Sequence, residues 1–390
     1  MKRIQKKVKS SKKKQLYTKK KILIISRYPI KKKNDYRWFF ISECEDTYEF
    51  INLSYNNYLV KKKYKQLIKD LSFILTSNKI SLFIDLIFSI DLNIKNSAYV
   101  NNIKCIYEIR SKIESKKIKS LRFVYSWLNK WSVRPWIFLN YGKHLYKIIQ
   151  NLFLKKIYKF PNSHYICITG GYGKFEVFKI GIKKIFFPHF DFLINNINHE
   201  YKKINLLKNK KFIVYLDQNI QYSHDSKLLN LERNFSNLEE ELDRYFTLIK
   251  KNFNLEIIVA SHPKRDLKRK INLTKKWKFI KGHTDQLVKN SAGVLAHDSM
   301  SINYAVLNLK PIIFLTTNQL NQSDFFSRSI NIYSKYFKKE KINISNPTFN
   351  LVKNDIFSIN KTIYKKYKDN FILPKENFTL DFRDLLKKII

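Results

Sequence analysis

The most constraining feature of this chain is the alternation of short apolar runs with amphipathic stretches between residues 211 and 316. KFIVYLD (211–217), LEIIVAS (255–261), WKFIKG (277–282), AGVLAH (292–297) and KPIIFLT (310–316) are rich in β-branched and aromatic residues. Runs that are apolar throughout, not on alternate residues, suit strands buried on both faces of a parallel sheet. Between them, 229–253, 284–291 and 299–309 place apolar residues at helical spacing, and Thr284 is of a type that caps helices. Strand–helix alternation implies βαβ units and a doubly wound sheet. The fold class is therefore α/β.

The first half of the chain follows the same scheme less legibly. KILIIS (21–26) reads as a first strand, and the Lys-dotted stretches 112–130 and 141–158 read as helices. The chain has seven glycines, and Gly170, Gly171, Gly173 and Gly181 lie close together. A chain so sparing with glycine places it where the backbone needs it. The segment 163–191 accordingly reads as strand, Gly-rich turn, short helix, strand and a Pro188-His189-Phe190-Asp191 exit. The polar segment 195–210 reads as a linker. Three units result: a basic mobile tail (1–20), a Rossmann-like domain (21–200) and a second one (201–390), long enough for two separate cores.

Composition narrows the partners. The formal net charge is +45, which favours polyanions: nucleic acid, anionic lipid or nucleotide-linked substrates. The positive residues are mostly Lys, spread along the chain among Asn and Ile, as an AT-rich coding sequence produces, and Arg is scarce. Compositional drift is the main reading, with a peripheral contact on the anionic inner membrane face as the favoured selected use. No nucleic-acid-binding module is visible, so specific nucleic acid is not expected. Cys44, Cys105 and Cys167 form neither a disulfide framework nor a zinc site. No apolar run reaches the roughly 20 residues needed to span a bilayer, and no secretory signal is legible, so a cytoplasmic location is expected.

Ligands of doubly wound sheets bind beyond the carboxyl ends of the strands, near the switch point of strand order. That rule selects Thr169-Gly170-Gly171, Pro188-His189-Phe190-Asp191, Asp217-Gln218, His262-Pro263-Lys264 and His297-Asp298-Ser299-Met300-Ser301. An imidazole, a rigid Pro and adjacent cations at 262–265 suit a phosphate whose leaving charge must be stabilised. Ser299 and Ser301 place two hydroxyls at a helix start, either as caps or as an anion site with His297 nearby. Asp217 reads as a general base, a cap or a loop ion pair; His224 with Asp225, and Asp191 with His189, compete for the base role. No P-loop, GxGxxG, GxSxG or HExxH motif occurs, and no metal-ligand cluster is legible.

IIVASHPK followed by FIKGHTDQLVKNSAGVLAHDSMSINYAVLNLKPIIFLTT resembles the C-terminal half of bacterial surface-polysaccharide glycosyltransferases of the GT-B fold. Those families include polysialyltransferases, capsule Kdo transferases and CDP-glycerol glycerophosphotransferases. The clear resemblance spans roughly residues 160–320. It implies two Rossmann-like domains facing across a cleft, the first binding the acceptor and the second a nucleotide-sugar donor. His262 matches the histidine of the HP motif, and Ser299 and Ser301 match a serine pair that contacts the donor phosphate. Met300 separates the serines, and the acidic-acidic-Gly motif of polysialyltransferases is missing, so the resemblance assigns neither base nor sugar.

The implied activity is metal-independent transfer of a sugar, with a CMP-linked donor among the options, to a capsule or lipopolysaccharide glycan. No cofactor beyond the donor is implied, and the acceptor would be a glycan or lipid-linked glycan. A CDP-linked polyol-phosphate transferase is the runner-up. A basic nucleic-acid-binding protein and a structural polysaccharide-export module are the rivals from other classes.

Overall fold

The apolar run near the start forms β1 (Lys20–Ser26), in which Ile22 to Ile25 are all buried. Successive side chains of a strand point to opposite faces, so Ile22 and Ile24 enter one core and Leu23 and Ile25 another. The strand is therefore covered on both sides. Residues 19–26, 30, 41–54, 58, 63–86, 108–125, 165–169, 183–196, 211–222, 235–263, 265–267, 272–346, 356–374, 378 and 381–390 are described by the computed structural model. Gly170, Gly171, His224, Lys264, the tail 1–18, the stretch 141–158 and most of the linker lie outside them.

After β1 the chain forms β2 (Tyr48–Ser54), α1 (Tyr64–Ser77), β3 (Ile80–Leu86), β4 (Lys119–Tyr125), β5 (Tyr165–Thr169), β6 (Lys183–Phe187) and α2 (Phe190–Asn196). The strands form one parallel sheet in the order β2-β1-β3-β4-β5-β6. Strand order reverses between β1 and β3.

One expectation fails here. The stretch 112–130 is helical only to residue 115, and 119–125 is β4. Lys117 adopts φ 53°, a left-handed conformation that ends the helix, and the following run SLRFVY has β-branched and aromatic character. Lysine spacing alone misled the helical reading.

The second half comprises β7 (Phe212–Leu216), α3 (Leu238–Phe253), β8 (Glu256–Ser261), α4 (Asn272–Lys276), β9 (Lys278–Lys281), α5 (Thr284–Asn290), β10 (Val294–Ala296), α6 (Ile302–Leu307) and β11 (Ile312–Thr316). It continues with α7 (Asn318–Gln322), α8 (Asp324–Phe337), β12 (Lys341–Asn343), α9 (Lys361–Tyr367) and α10 (Phe382–Ile389). Its sheet is also parallel, in the order β12-β11-β10-β7-β8-β9. Here the order reverses between β7 and β10. Leu238, Leu242, Tyr245, Phe246 and Ile249 of α3 bury one stripe at helical spacing on this sheet. Each such side chain contributes about 2 kcal/mol relative to exposure. The helix ends at Asn254, which takes the left-handed conformation (φ 51°).

Two boundaries shift from expectation. Thr284 is the first helical residue of α5, and His283 occupies the cap without a side-chain bond. The helix expected at 299–309 is confined to Ile302–Leu307, because 299–301 form a turn that leads into it.

The chain then returns to the first half. Phe382, Leu385, Leu386 and Ile389 of α10 pack with Ile22, Ile24, Leu82 and Phe187 of the first sheet. The Phe187 and Phe382 rings meet at 6.3 Å between centroids, and Lys119 Nζ donates to the Ile389 carbonyl at 2.7 Å. A single cut at residue 200 therefore does not separate the two packed bodies. The last helix of the 201–390 unit completes the core of the first.

Candidate functional site

The carboxyl ends of β10, β7 and β8 are neighbours at the switch point of the second sheet, and of the residues selected from the sequence Asp217, His262, His297, Asp298, Ser299 and Ser301 follow them. They divide into two groups by burial.

The first group is buried and internally bonded. Asp217, one residue past β7, has a side chain only 1% exposed, its carboxylate gripped by Arg265 through Nε–Oδ2 at 2.6 Å and Nη2–Oδ1 at 2.8 Å. Its Oδ2 also accepts from the His262 backbone N–H at 3.0 Å, and its Oδ1 from the Asn219 N–H at 2.8 Å. Arg265 in turn reaches Glu239 Oε1 through Nη1 at 3.1 Å. Burial pulls the Arg265 pKa down, but the Asp217 carboxylate, ahead of Glu239, outweighs it and leaves it above the ordinary range. The group thus ties the β7 exit to the β8 exit loop. A general base needs an oxygen turned toward an acceptor hydroxyl. Asp217 has both oxygens committed, so the ion-pair alternative describes it and the base role does not.

His297 also differs from expectation. Its ring is fully buried: Nδ1 lies 2.8 Å from the Leu315 carbonyl and Nε2 lies 3.1 Å from the Tyr215 hydroxyl. A carbonyl only accepts, so Nδ1 carries the proton and Nε2 accepts from Tyr215. Burial lowers the His297 pKa, and the ring is neutral and faces the core. It cannot bind a phosphate beyond the strand ends. The residue after it bridges the switch point instead: Asp298 accepts from Gln218 Nε2 and from Ser329 Oγ, and its N–H donates to Gln218 Oε1 at 3.1 Å.

The second group is half-exposed. His262 follows β8, and Pro263 beside it is exposed. Ser299 and Ser301 follow β10; Ser299 Oγ accepts from the Ser301 N–H at 3.2 Å, closing a turn before α6. Met300 between them is 42% exposed. β7 alone separates β8 from β10 in the sheet, so His262 and the two serines follow the carboxyl ends of the strands on either side of β7. Fold topology brings them to one rim although they are far apart in sequence.

Asp191 sits elsewhere, where the two halves meet. Its Oδ2 accepts from Asn303 Nδ2 of α6 at 2.8 Å and lies 3.3 Å from His189 Nδ1. Tyr367 donates to Asn303 Oδ1 at 3.1 Å, and the His189 N–H donates to the Ile372 carbonyl at 2.8 Å. Asn308 Nδ2 adds a bond to Asn195 Oδ1 at 2.6 Å. Burial raises the Asp191 pKa, but His189, then Asn303, outweigh it and hold the carboxyl below its usual range. Gln218 and Arg265 fall in stretches the sequence selected, but Arg265, expected as a phosphate cation, is turned to Asp217 and Glu239, and Gln218 is bonded to Asp298. Asn303 and Tyr367 were not selected as site residues from sequence. Only their nearness to strand exits, or in the case of Tyr367 nothing local, could have pointed to them. Among the described residues no group of three or more His, Cys, Asp or Glu side chains is placed to hold a metal.

No family model matches the sequence, and no curated protein matches it. Solved structures do match. A spinosyn rhamnosyltransferase, SpnG, complexed with thymidine diphosphate, superposes with a TM-score of 0.51 at 7% identity, over 95% of this chain and 99% of that one. The glycosyltransferase SnogD from Streptomyces nogalater matches with a TM-score of 0.48 at 6% identity, over 95% and 98%. A Methanocaldococcus jannaschii UDP-GlcNAc 2-epimerase in complex with UDP-GlcNAc and UDP gives 0.42 at 15%, over 89% and 98%. At this identity such likeness concerns the fold. The chain has the GT-B fold, as the alternation of its sequence and the HP and Ser-x-Ser motifs implied.

Proposed function

We propose that this chain is a nucleotide-sugar-dependent glycosyltransferase. The observation that carries the reading is the rim at the β7/β10 switch point of a GT-B fold, where His262 follows β8 and Ser299 and Ser301 follow β10, one strand to either side of β7. Ligands of doubly wound sheets bind there. A nucleotide donor leaves with negative charge on its phosphate oxygens, and preorganised donors aimed at that charge lower the barrier. In this reading His262, Lys264 and the hydroxyls of the 299–301 turn supply those donors, so no metal or other cofactor takes part. The GT-B rhamnosyltransferase that matches nearly the whole chain binds thymidine diphosphate, which supports a nucleotide donor.

The acceptor hydroxyl needs a base. Asp217 has both oxygens engaged by Arg265, and Asp191 is tied through Oδ2 to Asn303 and His189 at the junction of the halves, so of the three candidates His224 is the one this reading retains. The surface-glycan acceptor, whether capsule or lipopolysaccharide, and a CMP-linked donor rest on the motif resemblance alone. They are part of the proposal, as is action on the cytoplasmic side of the membrane.

Binding to the folded state raises the melting temperature by mass action. Thermal melts against CMP, CDP, UDP, TDP and GDP should show one nucleotide raising it, and the rise should shrink in a His262→Ala variant. No response to any of the five would remove the donor-site assignment.

A further inference from the structure

We infer that the amino-terminal edge of the first sheet, with the outward face of α1, is a docking surface for an anionic lipid bilayer. The inference goes beyond the catalytic reading and does not depend on it. The starting observation is Phe73, which is 71% exposed on α1. That helix buries Leu67, Leu71 and Leu75 against the sheet and is held by them. Phe73 stands opposite that stripe, where Lys65, Gln66, Lys69 and Thr76 are exposed around it. Packing within the chain does not call for an aromatic residue there, and a polar residue would serve the helix as well.

Topology places cations beside it. β1, β3 and β4 are adjacent and parallel, so their first residues share one edge. That edge carries exposed Lys19, Lys20, Lys79, Lys116, Lys117 and Lys119. α1 runs back antiparallel to the strands and delivers Phe73 toward the same edge. Asn78, its C-cap, is fixed there by Lys21 Nζ at 2.7 Å from Oδ1. Acidic groups nearby are fewer: Asp70, one turn before Phe73, accepts from the Tyr58 hydroxyl and Gln66 Nε2, Glu49 lies 3.6 Å from Lys21, Glu45 and Asp46 lie near the start of β2, and Glu114 precedes β4.

An exposed aromatic side chain beside Lys69, close to a lysine-bearing end of the sheet in a strongly basic chain, complements an anionic interface in two ways. The ring enters the headgroup boundary, and each nearby ammonium gains from the negative surface potential. A lysine surface suits this better than base or phosphate readout, for which the forked Arg side chain is the better tool. The edge lies away from the carboxyl strand ends, so docking leaves the crevice open. No helix among the described residues is long and apolar enough to cross a membrane, so attachment here is peripheral.

Co-sedimentation of the full chain with phosphatidylcholine vesicles, with and without phosphatidylglycerol, tests this. Binding to the mixed vesicles alone is expected, weakening as the salt rises above about 0.1 M. Phe73→Ser should weaken it about tenfold, and Lys116→Ser with Lys117→Ser about tenfold or more, both with unchanged melting curves. Should Phe73→Ser disturb the fold, a Phe73→Trp variant should instead show a blue-shifted emission, relative to wild type, on adding mixed vesicles. Failure of the wild-type chain to bind, binding indifferent to both variants, or a Phe73-dependent dimer without lipid would each overturn the inference. So would tighter binding to duplex DNA than to the mixed vesicles.

Discussion

The rim of the second sheet holds two kinds of polar residue that sequence position cannot tell apart. Asp217 and His297 follow strands β7 and β10 by one residue each, as His262 follows β8. The first two are buried, with hydrogen-bonding capacity spent on Arg265, the Leu315 carbonyl and the Tyr215 hydroxyl. His262, Ser299 and Ser301 are half-exposed at the rim. The difference teaches that a strand exit selects a neighbourhood, while partners on other strands and loops decide whether a residue there is committed to the fold.

The largest effect that would break this comparison concerns Asp217. Asp217→Ala leaves Arg265 buried with only Glu239, and losing one partner of such a pair costs about 3–5 kcal/mol. Urea denaturation should show that loss. A fall under about 1 kcal/mol, together with abolished transfer, would return Asp217 to the catalytic group. His262→Ala should do the reverse: turnover down about 10²-fold, as for removal of one preorganised donor, with stability changed by about 0.5 kcal/mol or less. Steady-state kinetics beside a denaturation curve separates the two outcomes.

Much of the first group could not have been recognised from the chain alone. Arg265 is 48 residues from Asp217, and Tyr367 is 64 from Asn303. Periodicity reports what a segment does with its own faces and says nothing of a partner so remote. The strands, by contrast, were legible as continuous apolar runs. Where legibility failed, at 119–125, lysines at helical spacing outweighed the aromatic and β-branched signal of SLRFVY.

Asn303 extends the comparison to the junction between the halves. Asn303→Ala removes a partner from Asp191 and from Tyr367 at once, so stability should fall by about 1–3 kcal/mol. Hydrogen exchange should rise at α2 and α6 and stay level in α3. Uniform loosening would deny the junction its separate character.

The smallest effect is a pH dependence. The folded-state pKa of His297 lies below its ordinary value of 6.5, because burial disfavours the charged ring. The unfolded chain therefore takes up the proton first as pH falls. The stability of the neutral ring is fully present above about pH 6.5 and is lost as pH drops through the lower folded value. Asp191, also depressed, adds a loss only at more acid pH, below its ordinary 3.8. Denaturation between pH 7 and 5 should show the slope, and His297→Gln should flatten it. An unchanged slope would mean that the ring is not held neutral in the core.

By itself the sequence determined that this chain builds parallel, doubly covered strands, because a run such as FIVYL has no polar face to show to water. It also determined where those strands end, and so the short list of residues near any ligand. Only tertiary structure decided which of them face the crevice, and that α10 closes the core of the first sheet and not of the second. The physical reason is range. A local pattern fixes the faces of one element, whereas burial of a polar group depends on partners brought from far along the chain.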